Sequence, residues 1–212
     1  MFSAPIRNRR NLQPAGQVCL FGEVVVGVDE ARLVERCLRG DEEGLREFVE
    51  RFQGLIYGVC WRLLGHREDA EDVTQESLAR AVRHLSHWDA SRALQPWVMA
   101  IAVNRCRTWI SKRKTAAASL LAGEAIAAPA GRMSIADLGE ELRRALDVLR
   151  EEYRTCFILF HQQELSCQQI ADVLNCPEGT VKTWLHRARK ELAQELLRRG
   201  VVTGEGYELY QV

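Results

Sequence analysis

The basic side chains near the carboxyl-terminal end of the chain have types and spacing suited to hydrogen bonding with nucleic acid. They fall in the stretch NCPEGTVKTWLHRARKEL, residues 175–192. On a helix, Val181, Leu185 and Ala188 recur at steps of three or four and would face a core, so the polar residues between them would face outward. Lysine and arginine donate to base edges and to phosphates. The candidate DNA-contacting residues on this face and in the first turn are Glu178, Gly179, Thr180, Lys182, Thr183, His186, Arg187 and Lys190.

A second short helix precedes this one and predicts a helix-turn-helix. Ser166 followed three residues later by Gln169 forms a capping box, and the turn NCP leads directly into the basic helix. Gly179 in the first turn would let backbone amides approach an anion. From periodicity alone, an ordinary amphipathic helix with a solvated basic face fits equally well.

A cluster of acids occupies a different predicted helix, beginning near residue 68. Glu68, Asp69, Glu71, Asp72 and Glu76 lie close together there, with Gln75 among them. Acids near a helix amino terminus compensate the macrodipole, but this number exceeds what that role needs. His66 lies beside the acids, yet no second ligand has a convincing spacing for a metal. We therefore expect no metal site, no cofactor and no catalytic residue.

The densest group of positive charges follows on a fourth predicted helix. Val98, Ala102, Cys106 and Ile110 recur every four residues and predict its core line. Its tryptophans, Trp97 and Trp109, are interpreted as core or interface aromatics rather than stacking platforms. Polar and basic residues fill the rest of the helix: Asn104, Thr108, Ser111, Arg105, Arg107, Lys112, Arg113 and Lys114.

The elements that position these residues predict an all-α protein of two small helical domains joined by a flexible linker. The first has four helices: one capped by Asp29 and ending at Gly40, one from Asp41 to Gly65, then 68–85 and 96–114. An Ala-, Gly- and Ser-rich segment containing Pro129 predicts the linker. The expected divisions are 1–28, an extension without an assigned role; 29–114, the first domain; 115–137, the linker; 138–199, the helix-turn-helix domain; and 200–212, a tail.

Charge and cysteine content bound the class of protein. Lysine plus arginine and aspartate plus glutamate both number 29, so the formal charge is zero, whereas a stand-alone nucleic-acid binder usually has a basic excess. The 7 cysteines form no C-x-x-C pair, which favours a reducing, cytoplasmic location. Glu23 and two glycines interrupt the apolar stretch VCLFGEVVVGV, so we expect neither a signal peptide nor membrane insertion.

Three stretches resemble a known family in the order expected of it. LSCQQIADVLNCPEGTVKTWLHRARKEL (165–192) resembles the −35-reading domain of the extracytoplasmic-function, or ECF, sigma factors of bacterial RNA polymerase. GHREDAEDVTQESLARAV (65–82) and PWVMAIAVNRCRTWISKRK (96–114) are similar to the polymerase-docking and −10-recognition helices. The resemblance spans roughly 30–199. It implies a four-helix sigma region 2 domain, a helix-turn-helix sigma region 4 domain, and a sigma-70 family subunit that directs promoter-specific initiation without catalysis.

The resemblance also implies partners and residue roles. The partners are the polymerase core, promoter DNA and an anti-sigma factor. In the loop HWDASRALQ (87–95), which would capture a base of the −10 strand, Leu94 and Gln95 depart from the commonest family wording. The implied polymerase contacts are Asp69, Asp72, Gln75 and Glu76, and the implied −10 contacts are Trp88, Ser91, Arg92, Asn104, Arg105, Thr108 and Lys112.

Three alternatives remain open from the residues. A stand-alone helix-turn-helix regulator would bind DNA without polymerase and leaves the acidic helix unexplained. A helical metal-dependent hydrolase would use the carboxylates around His66, but the sequence has no phosphate loop, nucleophile elbow or H-E-x-x-H motif. A sigma-like adaptor that binds a partner without starting transcription is supported only by the altered loop at 87–95.

Overall fold

The computed structural model describes residues 28–118 and 135–202, and these residues are helical with no strand. A 3₁₀ turn, Leu85–His87, follows the third of these helices. The α-helices are α1 Val28–Leu38, α2 Glu42–Leu64, α3 Arg67–His84, α4 Leu94–Ala118, α5 Ile135–Val148, α6 Glu151–His161, α7 Cys167–Leu174 and α8 Glu178–Arg198.

The first domain, α1 to α4, forms because capped helices bury continuous apolar stripes. The Asp41 carboxylate accepts the backbone N–H of Glu43 at 3.1 Å and caps α2, as expected. Gly65 ends α2 at φ 73°, a left-handed conformation that glycine adopts without strain. The stripe Phe48, Phe52, Ile56 and Val59 is fully buried against the neighbouring helices.

Several helix boundaries differ from the sequence expectation. α1 begins at Val28, so Asp29 lies inside its first turn rather than at the cap. α4 begins at Leu94, which puts Pro96 at its third residue, where a missing N–H is still tolerated. The helices also enter both ends of the predicted linker, because α4 reaches Ala118 and α5 starts at Ile135. The predicted extension, apart from Val28, the rest of the linker and most of the tail lie outside the described residues.

The second domain, α5 to α8, contains the predicted helix-turn-helix. The Ser166 hydroxyl accepts from the Gln169 backbone N–H at 3.2 Å, and the Gln169 side chain accepts from the Ser166 N–H at 2.8 Å, so the capping box is confirmed. Asn175 ends α7 in the left-handed region at φ 52°. Val181, Leu185, Ala188 and Leu192 of α8 are buried as the spacing predicts.

The two domains pack directly on one another. α4 contacts α7, α2 contacts α6, and one apolar cluster contains buried residues from both domains. Gln163, in the turn after α6, donates to the Leu55 carbonyl of α2 at 3.4 Å and accepts from Gln95 at 3.0 Å. Arg62 donates to Gln162 beside it. Because α4 is covered by its own domain and by α7, both Met99 and Val103 are fully buried.

Candidate nucleic-acid interfaces and acidic surface

The outward face of α8 is exposed as its spacing predicts. Gly179 is also exposed, and the space where a Cβ would lie is open, so its amide can be approached from solvent. Glu178 and Thr180 in the same first turn are half-buried. The exposed polar residues farther along this face are Lys182, Thr183, His186, Arg187 and Lys190.

Contacts within the second domain orient this face. Lys182 Nζ lies 2.7 Å from Glu178 Oε1, and this hydrogen bond raises the pKa of Lys182. The Thr183 hydroxyl donates to the Gly179 carbonyl at 2.9 Å. Arg187 donates to the Tyr153 hydroxyl of α6 at 3.0 Å. The face therefore presents its donors in set positions to a ligand that lies along α8.

A second polar face, on α4, surrounds a shallow cavity. Asn104 and Thr108 are exposed one turn apart, and the Thr108 hydroxyl donates to the Asn104 carbonyl at 2.8 Å. The cavity has a volume of about 190 Å³. It is lined by Arg80, Ile101, Asn104, Arg105 and Thr108, which we call the α4 polar face. Arg80 comes from α3 and was missed by sequence reasoning, because only the packing of α3 on α4 brings it there.

Apolar packing, hydrogen bonds and an ion pair hold the loop before α4 against the rest of the structure. Trp88 packs against the apolar core, and its buried Nε1 has no hydrogen-bond partner among the described residues. Ser91 donates from its N–H and its hydroxyl to Asp89, at 2.9 and 2.8 Å. Arg92 lies 3.7 Å from Asp172 of α7, which directs this candidate −10 residue toward the helix-turn-helix in the packed arrangement.

Leu94 and Gln95, the two residues that differ from the commonest family sequence in this loop, have structural roles. Leu94 is fully buried, and its backbone N–H donates to Glu30 of α1 at 2.9 Å. Gln95 Nε2 donates to the Gln163 carbonyl of the second domain. Both residues therefore fix the start of α4, one to the first domain and one across the domain contact.

The acidic residues lie along α3 beside the α4 polar face. Asp72, Gln75 and Glu76 are exposed and Asp69 is half-buried; these four residues are called the acidic surface below. Glu76 forms an ion pair with Arg105. Lys112, another candidate −10 residue, is exposed farther along α4.

Arg113 of α4 contacts the first turn of α3 and the residue before it. It lies 3.3 Å from Asp69 and 3.1 Å from His66 Nε2. A cation thus occupies the space beside His66, where the hydrolase alternative requires a metal. Among the residues that the structure describes, no group of three or more His, Cys, Asp or Glu side chains is arranged to hold a metal ion.

Family models match both domains. Residues 48–115 match Sigma-70 region 2, and residues 139–192 match Sigma-70, region 4. The chain is 29% identical over 178 residues to the ECF RNA polymerase sigma factor SigW of Bacillus subtilis, covering 77% of this chain and 94% of that protein. It is 30% identical over 183 residues to the ECF RNA polymerase sigma-E factor of Salmonella typhimurium, covering 79% of this chain and 95% of that one.

Solved structures share the fold. The sigma factor RpoE in complex with the anti-sigma factor NepR, from Bartonella quintana, matches with a TM-score of 0.61 at 23% identity, over 71% of this chain and 95% of that one. CnrH in complex with the cytosolic domain of CnrY matches with a TM-score of 0.60 at 22% identity, over 78% and 95%. No helix in the described ranges has the length and apolar content needed to cross a membrane.

Two family models in the order region 2 then region 4, together with a relative at 30% identity over most of both chains, assign the protein. The chain belongs to the ECF sigma factors of the sigma-70 family, the non-catalytic subunits that bind bacterial RNA polymerase and direct transcription initiation at promoters.

Proposed function

We propose that this sigma factor divides its work among three faces: the acidic surface of α3 docks on core polymerase, the α4 polar face contacts the −10 element, and the outward face of α8 reads the −35 element. The observation that carries the proposal is the separation of charge in a chain whose formal charge is zero. Acids are exposed on α3, and cations are exposed on α4 and α8. Each face thus matches one partner by charge.

The α8 face suits a major groove. A helix-turn-helix enters the groove with the amino-terminal part of its second helix, which here carries Lys182, Thr183 and His186. Arginine and lysine can donate to guanine acceptors, and each good pair contributes about 1–3 kcal/mol of discrimination. Lys190 is farther along the helix, where a phosphate contact fits better and carries no sequence information.

The α4 polar face suits an opened strand. Asn104 offers an amide donor and acceptor to a base edge, while Arg80 and Arg105 on the same cavity offer charge to phosphates. A base can be read in such a cavity only after it leaves the stack. Melting around −10 would therefore accompany binding to this face.

The packed arrangement of the domains must open for both elements to be read at once. The −10 and −35 elements are about 25 base pairs apart, or roughly 85 Å along B-DNA. Helices in contact have axes about 8–10 Å apart, and α4 contacts α7 in this structure. We infer that the arrangement described here is that of the free protein, and that the domains separate on the polymerase.

An anti-sigma partner and a cytoplasmic location complete the proposal. The sigma factor RpoE, which has the same fold, is bound to the anti-sigma factor NepR, and a partner of this kind would compete with polymerase for this chain. Co-purification from the native host of a protein that blocks binding to core would support this part. The cytoplasmic location follows from the polymerase as partner.

The direct test is transcription by purified core polymerase with and without this protein, followed by sequencing of the transcript starts. We expect specific starts only when the protein is present. DNA binding at specific sites without polymerase, and no new starts, would favour the stand-alone regulator instead.

Charge-reversed variants test the docking surface. Asp72→Lys with Gln75→Lys changes exposed residues that make no ion pair with described residues, so it leaves the Glu76–Arg105 pair in place. This variant should lose co-purification with core polymerase. The matched control is Glu50→Lys with Gln53→Lys, an exposed acid and glutamine at the same spacing on α2, which should bind core normally.

A further inference from the structure

Ion pairs across the α3–α4 contact join the acidic surface to the cations of α4. Glu76 pairs with Arg105, whose side chain is 19% exposed, while that of Glu76 is 48% exposed. Asp69 pairs with Arg113 at 3.3 Å. Glu76 and Asp69, which we propose contact polymerase, therefore neutralise two arginines on α4. Arg105 is part of the α4 polar face, and Arg113 lies farther along the same helix.

We propose that these pairs are exchangeable and couple the two binding events: a basic polymerase surface takes Glu76 and Asp69, and this frees Arg105 and Arg113 for DNA phosphates. The inference rests on the docking and −10 roles proposed above. Polymerase then raises the affinity of the first domain for DNA by breaking the Glu76–Arg105 and Asp69–Arg113 pairs, whether or not the two domains separate. By linkage, DNA must raise the affinity for polymerase by the same factor.

The surroundings of Arg105 suit such an exchange. Its Nε is buried and has no hydrogen-bond partner among the described residues, so the guanidinium is incompletely satisfied in the free protein. It lines the α4 cavity next to Asn104 and Arg80, where a phosphate could accept from it. Glu76 is the more exposed member of the pair and is the one that a protein surface can reach.

The expected size of the effect is modest. Exposed ion pairs are weak in water, and releasing one such arginine should change DNA affinity about two- to fivefold. One additional phosphate contact should also make the dependence of log K on log salt steeper by about 1.

The first experiment needs only the isolated protein. Anisotropy of a short, fluorescein-labelled single-stranded DNA gives the affinity of the wild type and of Glu76→Gln at several salt concentrations. We expect Glu76→Gln to bind about two- to fivefold more tightly, with the steeper salt dependence. The control Glu47→Gln removes one acid from an ion pair with Arg36 at 2.6 Å, between α1 and α2, and so reports the effect of net charge alone.

A double-mutant cycle identifies the released group. In an Arg105→Gln background, Glu76→Gln should have no more effect than Glu47→Gln, because no arginine remains to be freed. A gain that persists in that background, or a gain in Glu76→Gln no larger than that of the control, overturns the inference. Asp69→Asn with Arg113→Gln repeats the cycle on the second pair if a variant at the first pair unfolds.

The second experiment measures the coupling itself. Affinity of the sigma factor for core polymerase is measured with and without the same DNA strand. The wild type should show positive coupling, and Glu76→Gln should reduce it about two- to fivefold. Unchanged coupling overturns the inference while the proposed function stands; absence of core binding by the wild type overturns the proposed function, and the first experiment still decides whether the pair withholds Arg105.

Discussion

Arg187 of α8 donates a hydrogen bond from Nη1 to the hydroxyl of Tyr153 in α6, across 3.0 Å. Tyr153 is 4% exposed, whereas Arg187 is exposed. The hydrogen bond lowers the pKa of Tyr153, because the arginine favours the phenolate. One end of the guanidinium is thus anchored to α6, and the remaining donors are held at the surface of α8.

Tyr153→Phe tests whether this anchor matters for −35 recognition. The substitution keeps the buried ring but removes the hydroxyl, so Arg187 loses its fixed orientation while the fold is retained. We expect affinity of holoenzyme for the preferred −35 sequence to fall about two- to tenfold, with a smaller effect on other sequences. Equal losses on all sequences would show that Tyr153 acts only on stability, which thermal unfolding measures in parallel.

Arg187→Ala should change the sequence preference of DNA binding, whereas Lys190→Ala should change only its strength. Arg187→Ala should weaken binding to the preferred −35 element and flatten the preference at one or two positions, by about 1–3 kcal/mol. Lys190→Ala should weaken every sequence about equally and reduce the salt slope by about 1. Holoenzyme affinities on a −35 substitution series at several salt concentrations compare them, and identical profiles would contradict groove reading by α8.

Asn104→Ala should impair promoter opening more than promoter binding. The amide faces the α4 cavity and is exposed, so its loss should cause little change in folding. We expect duplex binding by holoenzyme to persist while permanganate reactivity of thymines around −10 decreases. Arg187→Ala is the reciprocal control, because it should reduce duplex binding but not the reactivity per bound complex.

Loosening the domain contact should favour the open protein. Gln162→Ala with Gln163→Ala removes the side-chain hydrogen bonds to Arg62 and to the Leu55 carbonyl, and the 3.5 Å contact between Gln163 Oε1 and Gln95. The bond from Gln95 to the backbone carbonyl of Gln163 remains. We expect a larger radius of gyration by small-angle scattering and about two- to tenfold tighter binding to core, because less of the protein is held closed. Gln194→Ala, an exposed residue on α8, is the control, and an unchanged radius would contradict a role for the two glutamines in closure.

Glu195 should contribute stability that disappears in acid. Its carboxylate accepts from Arg198 and Arg199, each at 2.6 Å, and Arg199 also lies 3.3 Å from Glu141 of α5. These hydrogen bonds, first from Arg198, lower the pKa of Glu195 to about 2 from its usual 4.5. Because the folded-state pKa is the lower one, the stabilisation is complete above about pH 4.5 and is lost as the pH falls toward about 2.

Glu195→Gln measures that contribution. Arg198 is largely exposed and solvent screens its charge, so we expect a loss of roughly 1–2 kcal/mol near neutral pH, or about 2–8 °C in the thermal midpoint. The difference from the wild type should shrink below about pH 4. Glu191→Gln, one turn earlier and in no ion pair with a described residue, should change little, and equal losses in the two variants would contradict the assignment.

The sequence by itself determined the features that depend on contacts within about one helical turn. The Asp41 cap, the glycine end of α2 and the Ser166–Gln169 capping box all join residues at most four positions apart. The apolar stripes of α2 and α8 follow from helical geometry alone. The motifs that resemble ECF sigma factors lie within single helices or pairs of adjacent helices, so the family could also be recognised from the sequence alone.

Only the tertiary structure decided which distant side chains meet. Arg80 enters the α4 cavity, Glu76 reaches Arg105, and Gln163, in the turn after α6, crosses to Leu55 of α2. The residues that meet in each case are far apart in the chain. The apolar residues predicted at every fourth position of α4 explain one buried side of this helix. Met99 and Val103 lie outside that line, and their burial accompanies the packing of α7 against α4. Helical periodicity specifies which way each side chain points, but the partner it finds depends on how whole helices pack, and that is a property of the assembled core.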